Sequence, residues 1–124
     1  MAFTPFSYPS DVPGELLHML PAAGALNLVA GTALVLTGGK LALATGTVVP
    51  EYISYFTGTT TANQPIPVQR IVPGAVYSVA APSGVAVGNA YTIGTDGGSI
   101  TTTTTSGIAK VLAITDGVAN VVFK

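Results

Sequence analysis

The sequence predicts an all-β protein of short antiparallel strands, and three observations lead to that prediction. After Ala25 the chain consists of short apolar or β-branched runs, each bounded by Gly, Pro, Asn or Asp. Three of these boundaries tolerate the positive φ angles of tight hairpin turns: Thr37-Gly38-Gly39, Asp96-Gly97-Gly98 and Asp116-Gly117. Helix signals occur in one stretch only, Asp11 to Leu20. Many short strands with regular turns indicate a sandwich or a small barrel.

The composition points to a protein that is partly covered by a partner. Hydrophobic residues make up 48% of the chain and charged residues 7%, against roughly 25% charged residues in an average soluble domain. A monomer normally stays soluble through a charged surface, so much of this surface must consist of Thr, Ser and Gly or be covered by a partner, and we expect the partner's contribution to be substantial. The net charge of −1 and the scattered basic residues argue against nucleic-acid binding. The chain has no Cys, which excludes disulfides and thiolate chemistry.

Residues 1–25 are predicted to be an extended, proline-rich docking arm, and residues 26–124 the β domain. Proline recurs through the arm and favours extended backbone. A short helix between Asp11 and Leu20 is an alternative for part of it. Because a free tail would be polar, we expect the apolar side chains of the arm to bind a partner. These predicted partner-binding residues are Phe3, Phe6, Tyr8, Leu16, Leu17, Met19 and Leu20.

The first half of the β domain is expected to contain a strand at Leu26–Ala30, a hairpin around Gly38-Gly39, and a strand at Val48–Phe56. Thr57–Gln64 is predicted to be a polar loop. The next strand begins at Pro65, and we expect it at a sheet edge because Pro65 and Pro67 lack backbone donors.

The second half is predicted to be a strand at Val76–Val79 followed by a four-stranded meander. Its strands are expected near Tyr91–Ile93, at Ile100–Thr105, at Ile108–Thr115 and at Val118–Phe123. Ile108–Thr115 carries apolar residues on both faces, which indicates a strand buried on both faces.

No membrane segment is expected. The stretch Leu16–Leu36 is long enough to span a bilayer, but Pro21, Gly24 and polar residues interrupt it. A signal peptide is not predicted either, because the first residues lack a basic region and include Asp11 and Glu15.

No catalytic, cofactor-binding or metal-binding residues are predicted, and we do not expect an enzyme. His18 is the one histidine, and the carboxylates are scattered along the chain. Asp96 and Asp116 each precede Gly, which is typical of turns. Tyr52, Tyr55 and Phe56 would suit a sugar-binding platform, although a core or subunit contact is the favoured interpretation.

The second half of the chain resembles the small capsid decoration, or cement, proteins of tailed bacteriophages. The resemblance lies in Pro67–Val79, in the hairpin Val87–Gly98 with its Asp96-Gly97 turn, in the Thr-rich stretch after Ile100, and in the final hairpin. It implies a small β-barrel or β-tulip-like domain that binds the outer surface of the expanded capsid. It also implies a homo-oligomer, with a trimer favoured, that clamps neighbouring subunits of the major capsid protein with the help of an N-terminal arm.

The function predicted from the sequence is therefore that of a structural virion protein. It would be made in the host cytoplasm, stabilise the capsid by bridging its subunits, and need no cofactor, nucleic acid or membrane. The alternative is a carbohydrate-binding or adhesive β module, such as part of a phage fibre.

Overall fold

A computed structural model of the chain describes residues 3–7 and 17–123. Within these ranges the secondary structure is entirely β, with no helix. In chain order the strands are β1 (Thr4–Ser7), β2 (Leu17–Pro21), β3 (Asn27–Leu28), β4 (Ala33–Thr37), β5 (Lys40–Leu43), β6 (Tyr52–Ser54), β7 (Gly58–Thr59), β8 (Pro65–Arg70), β9 (Val76–Ala80), β10 (Ala90–Tyr91), β11 (Ala109–Thr115) and β12 (Val118–Phe123).

These strands form two five-stranded antiparallel sheets and a small ribbon, which confirms the predicted all-β class. Sheet I has the order β1-β9-β12-β11-β10, sheet II the order β2-β8-β6-β4-β5, and β3 pairs with β7. Within the described ranges neither sheet closes into a barrel. The edges of sheet II do meet at one end, where Ala22 bridges Leu41 and the Ala23 N–H donates to the Leu41 carbonyl oxygen at 2.9 Å.

The main core lies between the two sheets. Sheet I contributes Tyr77, Val79, Val111 and Val121 to it, and sheet II contributes Ala33 and Ile53. A second cluster lies on the other face of sheet II and consists of Leu28, Leu34, Leu41, Ile66 and Val68. Successive side chains of a strand point to opposite faces, so the neighbours Ala33 and Leu34 enter different clusters. This two-sided burial explains the unbroken apolar run of β4.

Two of the predicted turns are confirmed as tight two-residue hairpins. Gly38 and Gly39 connect β4 to β5 with φ of 59° and 82°, and Asp116 and Gly117 connect β11 to β12 with φ of 52° and 75°. Positive φ at both central positions is the requirement of a type I′ turn, whose twist matches that of the flanking strands.

The predicted Thr-rich strand at Ile100–Thr105 is wrong. Ile100 forms one isolated bridge with Ile93, and the following threonines form an irregular segment. Thr92 accepts a hydrogen bond from the Thr101 N–H and donates its own N–H to the Thr103 carbonyl oxygen. Thr101 and Thr103 therefore both bond to Thr92, and regular strand pairing does not continue along the run. β-Branched composition alone did not determine pairing here.

Two predictions about strand environment are also wrong. β8 lies between β2 and β6 and not at an edge. Its prolines are tolerated because β6 pairs only with Val68–Arg70, so Pro65 and Pro67 lie beyond the end of that pairing. β11 is buried on one face only, because Lys110 and Leu112 are exposed.

Strand lengths in the middle of the chain are shorter than predicted. The strand expected at Val48–Phe56 is limited to β6, and the one expected at Leu26–Ala30 is limited to β3. The predicted loop Thr57–Gln64 contains β7, which pairs with β3.

The N-terminal residues also differ from expectation. A helix ending at Leu20 is wrong for Leu17–Leu20, which belong to β2, while the rest of that proposed helix lies outside the described residues. β1 pairs with β9, and β2 pairs with β8. The predicted arm was expected to find few partners within the chain, yet two of its segments are edge strands of the two sheets.

Candidate docking surface

Phe3, one of the predicted partner-binding residues, is part of the main core. Its side chain is 1% exposed, and its ring packs edge-on against Phe123 with the ring centroids 5.1 Å apart. Its N–H donates to the Gly31 carbonyl oxygen at 3.0 Å. The Phe3 side chain therefore contacts the interior of its own chain and not the surface.

The other predicted partner-binding residues are in different situations. Met19 is 62% exposed, and Leu20 is half-buried against the second cluster. Phe6 and Leu17 belong to β1 and β2, but their side chains are not among those described. Tyr8 and Leu16 lie outside the described residues.

Met19 lies in one row across sheet II with the exposed Tyr55 and the half-buried Pro67. Met19 is the register partner of Pro67, and the Tyr55 N–H donates to the Pro67 carbonyl oxygen at 2.9 Å. Residues opposite each other in neighbouring strands project to the same face, so Met19, Pro67 and Tyr55 form one row, here called the Tyr55 row. Tyr55 is 48% exposed, and its hydroxyl donates to Gln69 Oε1 at 3.1 Å, which holds the ring in place.

A shallow groove of about 130 Å³ adjoins the Tyr55 row. It lies where β1 meets the bend at Ala30-Gly31 and β6, and Tyr55 forms part of its wall. Apolar side chains beside a groove are the usual composition of a protein-docking surface.

A second exposed apolar pair consists of Leu112 in β11 of sheet I and Val87 in the loop before β10. The pairing of β11 with β12 shifts between Val111 and Ala113, so Leu112 is the additional residue of a β-bulge. The Gly88 N–H donates to the Val111 carbonyl oxygen at 2.8 Å, which brings Val87 alongside Leu112. Leu112 is 45% exposed and Val87 is 57% exposed.

A larger cavity of about 300 Å³ lies between residues 49–52, residues 70–73 and Phe123. Its walls are mostly apolar, with Glu51 and Arg70 as the charged residues among those described. Glu51 Oε1 accepts the Leu36 N–H at 2.9 Å. This bond joins the wall of the cavity to β4.

Other polar groups of the described residues serve the fold. The exposed His18 packs edge-on against Tyr52 with the ring centroids 5.9 Å apart. Asp96 Oδ1 accepts the Gly98 N–H at 2.9 Å and the Ser99 hydroxyl at 3.0 Å, which stabilises the turn. Within the described ranges no group of three or more His, Cys, Asp or Glu side chains is placed to hold a metal ion.

The three aromatic residues that would suit a sugar-binding platform are not brought together. Tyr52 and Phe56 pack against the second cluster, whereas Tyr55 is in the exposed row that shares its face with Ile53 of the main core. Of the three, Tyr55 is exposed, whereas Tyr52 and Phe56 are half-buried.

The described part of the chain contains no helix that is long and apolar enough to cross a membrane. Comparison with protein-family models, with curated proteins and with solved structures found no match to this chain.

Sequence reasoning found Met19 but missed its neighbours. Pro67 was interpreted as an edge-strand residue, and the exposure of Leu112 was not anticipated because its strand carries apolar residues on both faces. Ile53 and Tyr55 are two residues apart in one predicted strand, which indicated that their side chains lie on the same face of the sheet. No local pattern indicated that β2 would place Met19 beside that face, because the pairing joins distant parts of the chain.

Proposed function

We propose that this protein is a structural virion protein of the capsid decoration type, which binds the outer surface of a capsid and stabilises it by bridging subunits of the major capsid protein. The observation that carries the proposal is the Tyr55 row, an exposed apolar strip held rigidly by strand pairing on a chain with few charges. The resemblance of the second half of the chain to decoration proteins supports the same role.

The physical argument concerns how such a protein attaches. A docking protein with few charges must gain affinity from apolar burial, shape and hydrogen bonds. Met19 and Tyr55 provide large apolar area at little entropic cost, because neighbouring strands already fix their backbone positions. Under this proposal the protein acts as a homo-oligomer, with a trimer as the expected assembly, and it has no catalytic role.

The test is binding of the purified protein to expanded capsids that lack it. We expect the parent protein to cosediment with these capsids, and Met19→Gln together with Tyr55→Gln to weaken attachment strongly. Val87→Gln is the matched control, because Val87 is similarly exposed but lies in the loop between β9 and β10, outside the Tyr55 row. Melting temperatures would verify that all variants are folded. Failure of the parent protein to bind would overturn the proposal. If the double variant binds as tightly as the parent protein, the Tyr55 row is not the surface that contacts the capsid.

A further inference from the structure

The threonine run forms an exposed segment between two buried anchor points. Ile100 is 3% exposed and Ile108 is 5% exposed, while Thr102–Ser106 between them are all exposed. At the end of the run the Gly107 backbone lies directly against the Ala90 carbonyl, where a Cβ atom would not fit. The segment is held at both ends and at Thr103, whose carbonyl oxygen accepts the Thr92 N–H, and its side chains from Thr102 to Ser106 are exposed.

The hydroxyl groups of the run are not equivalent. The Thr101 and Thr92 hydroxyl oxygens are 2.6 Å apart, and the Thr101 hydroxyl also accepts the Thr103 N–H at 3.0 Å. Within the part of the chain that the structure describes, the Thr102–Thr105 hydroxyls take part in no hydrogen bond. The hydroxyls of Thr102–Thr105 are therefore available to another molecule, whereas the hydroxyl of the neighbouring Thr101 is already hydrogen-bonded within the chain.

We propose that Thr102–Thr105 are a site of O-linked glycosylation by a neutral sugar. In this reaction a threonine Oγ1 forms a bond to the anomeric carbon of a nucleotide-activated sugar. The bond from that carbon to the phosphate oxygen breaks, the nucleoside diphosphate leaves with the electron pair, and the hydroxyl proton passes to a base of the transferase. The inference does not depend on the proposed function.

The irregular backbone favours this reaction. The run belongs to neither of the two sheets, and an exposed irregular segment can enter the active site of a modifying enzyme. The run is also uniform, so several acceptor hydroxyls are presented together.

Charge favours a sugar over a phosphate. Each phosphate would add a charge of roughly −1.5 to −2. The nearest charged residues along the chain are Asp96 and Lys110, so nothing within the run would neutralise several phosphates. A neutral sugar adds no charge and supplies hydrated surface to a protein in which 7% of residues are charged.

The experiment is intact-mass and fragment mass spectrometry of the protein purified from the source that naturally makes it. We expect a mass above that of the sequence by a whole number of monosaccharide residues, and fragments that locate the addition on Thr102–Thr105 and not on Thr92 or Thr101. The variant with Thr102–Thr105 replaced by Ala should have the mass of its sequence, and Thr101→Ala should keep the addition.

Melting temperatures would verify that both variants are folded. A native protein with the mass of its sequence, an addition that is phosphate, or a sugar located elsewhere in the chain would each overturn the proposal.

Discussion

Phe3 and Met19 are both apolar residues of the predicted arm, but their surroundings are opposite, because Phe3 is 1% exposed and Met19 is 62% exposed. Replacing Phe3 by Ala should leave a cavity beside Phe123 and lower the free energy of unfolding by about 3–5 kcal/mol. Met19→Ala is the control and should change it by no more than about 0.5 kcal/mol. Denaturant unfolding measures both values, and equal stabilities would show that the Phe3 ring is not part of the core.

A second residue-scale prediction concerns the turn between β11 and β12. Gly117 has φ of 75°, and a β-branched side chain is strained at positive φ. Gly117→Val should therefore cost about 1–3 kcal/mol. Gly24→Val is the matched control, because Gly24 has no positive φ and a Cβ there would meet open space. Thermal unfolding compares the two, and equal melting temperatures would contradict the type I′ assignment.

At the scale of elements, β1 and β2 are the edge strands that the first part of the chain adds to both sheets. From the sequence, residues 26–124 were expected to fold without residues 1–21 and to lose only the attachment to a partner. The strand pairing now favours a different outcome, because deletion would also expose the edges of β8 and β9 and remove Phe3 from the core.

We therefore predict that deleting residues 1–21 lowers the melting temperature markedly or abolishes cooperative unfolding. Circular dichroism during heating measures this. The matched comparison is the full-length Met19→Ala variant, which changes the same segment without removing a strand. A truncated protein that melts cooperatively at the temperature of the parent would show that β1 and β2 do not stabilise the sheets.

The elements also show which parts of the fold are predictable from sequence. Turns with two consecutive positive-φ positions were located correctly, because Gly38-Gly39 and Asp116-Gly117 have few other conformations to adopt. Which strands lie next to each other was not predicted correctly, since strand pairing depends on contacts across the whole chain. β8 lies inside sheet II because β2 pairs with its other side. β2 was not predicted as a strand, because the prolines around it indicated an extended arm.

At the scale of the whole molecule, the scarcity of charge determines how attachment should respond to salt. The chain has four Lys and Arg and five Asp and Glu, and the Tyr55 row contains none of them. Binding to capsids should therefore depend weakly on ionic strength, because screening acts on charge pairs and not on apolar burial. Cosedimentation across a salt series measures this dependence, and a steep loss of binding between low and moderate salt would contradict it.

The candidate site was predictable only in part. Low charge and apolar content indicated that some surface would be covered, and Met19 was among the residues named. The row itself needs Met19, Pro67 and Tyr55 to meet across three segments that are distant in sequence. Such a surface has no local motif, in contrast to a catalytic or metal site.

The pairing of β1 with β9 and of β2 with β8 has a consequence for synthesis of the protein. The first strands leave the ribosome before the residues that will pair with them have been made, so during translation they have no native neighbours. Sheet II can be completed only after Arg70 has emerged, and sheet I only after Phe123, which is also the residue that the core residue Phe3 packs against. Pairings that join such distant positions fold slowly, because the entropy of loop closure is lost before the contacts form. In that interval the prolines at positions 5 and 21 reduce the tendency of the exposed segments to form strands with other chains.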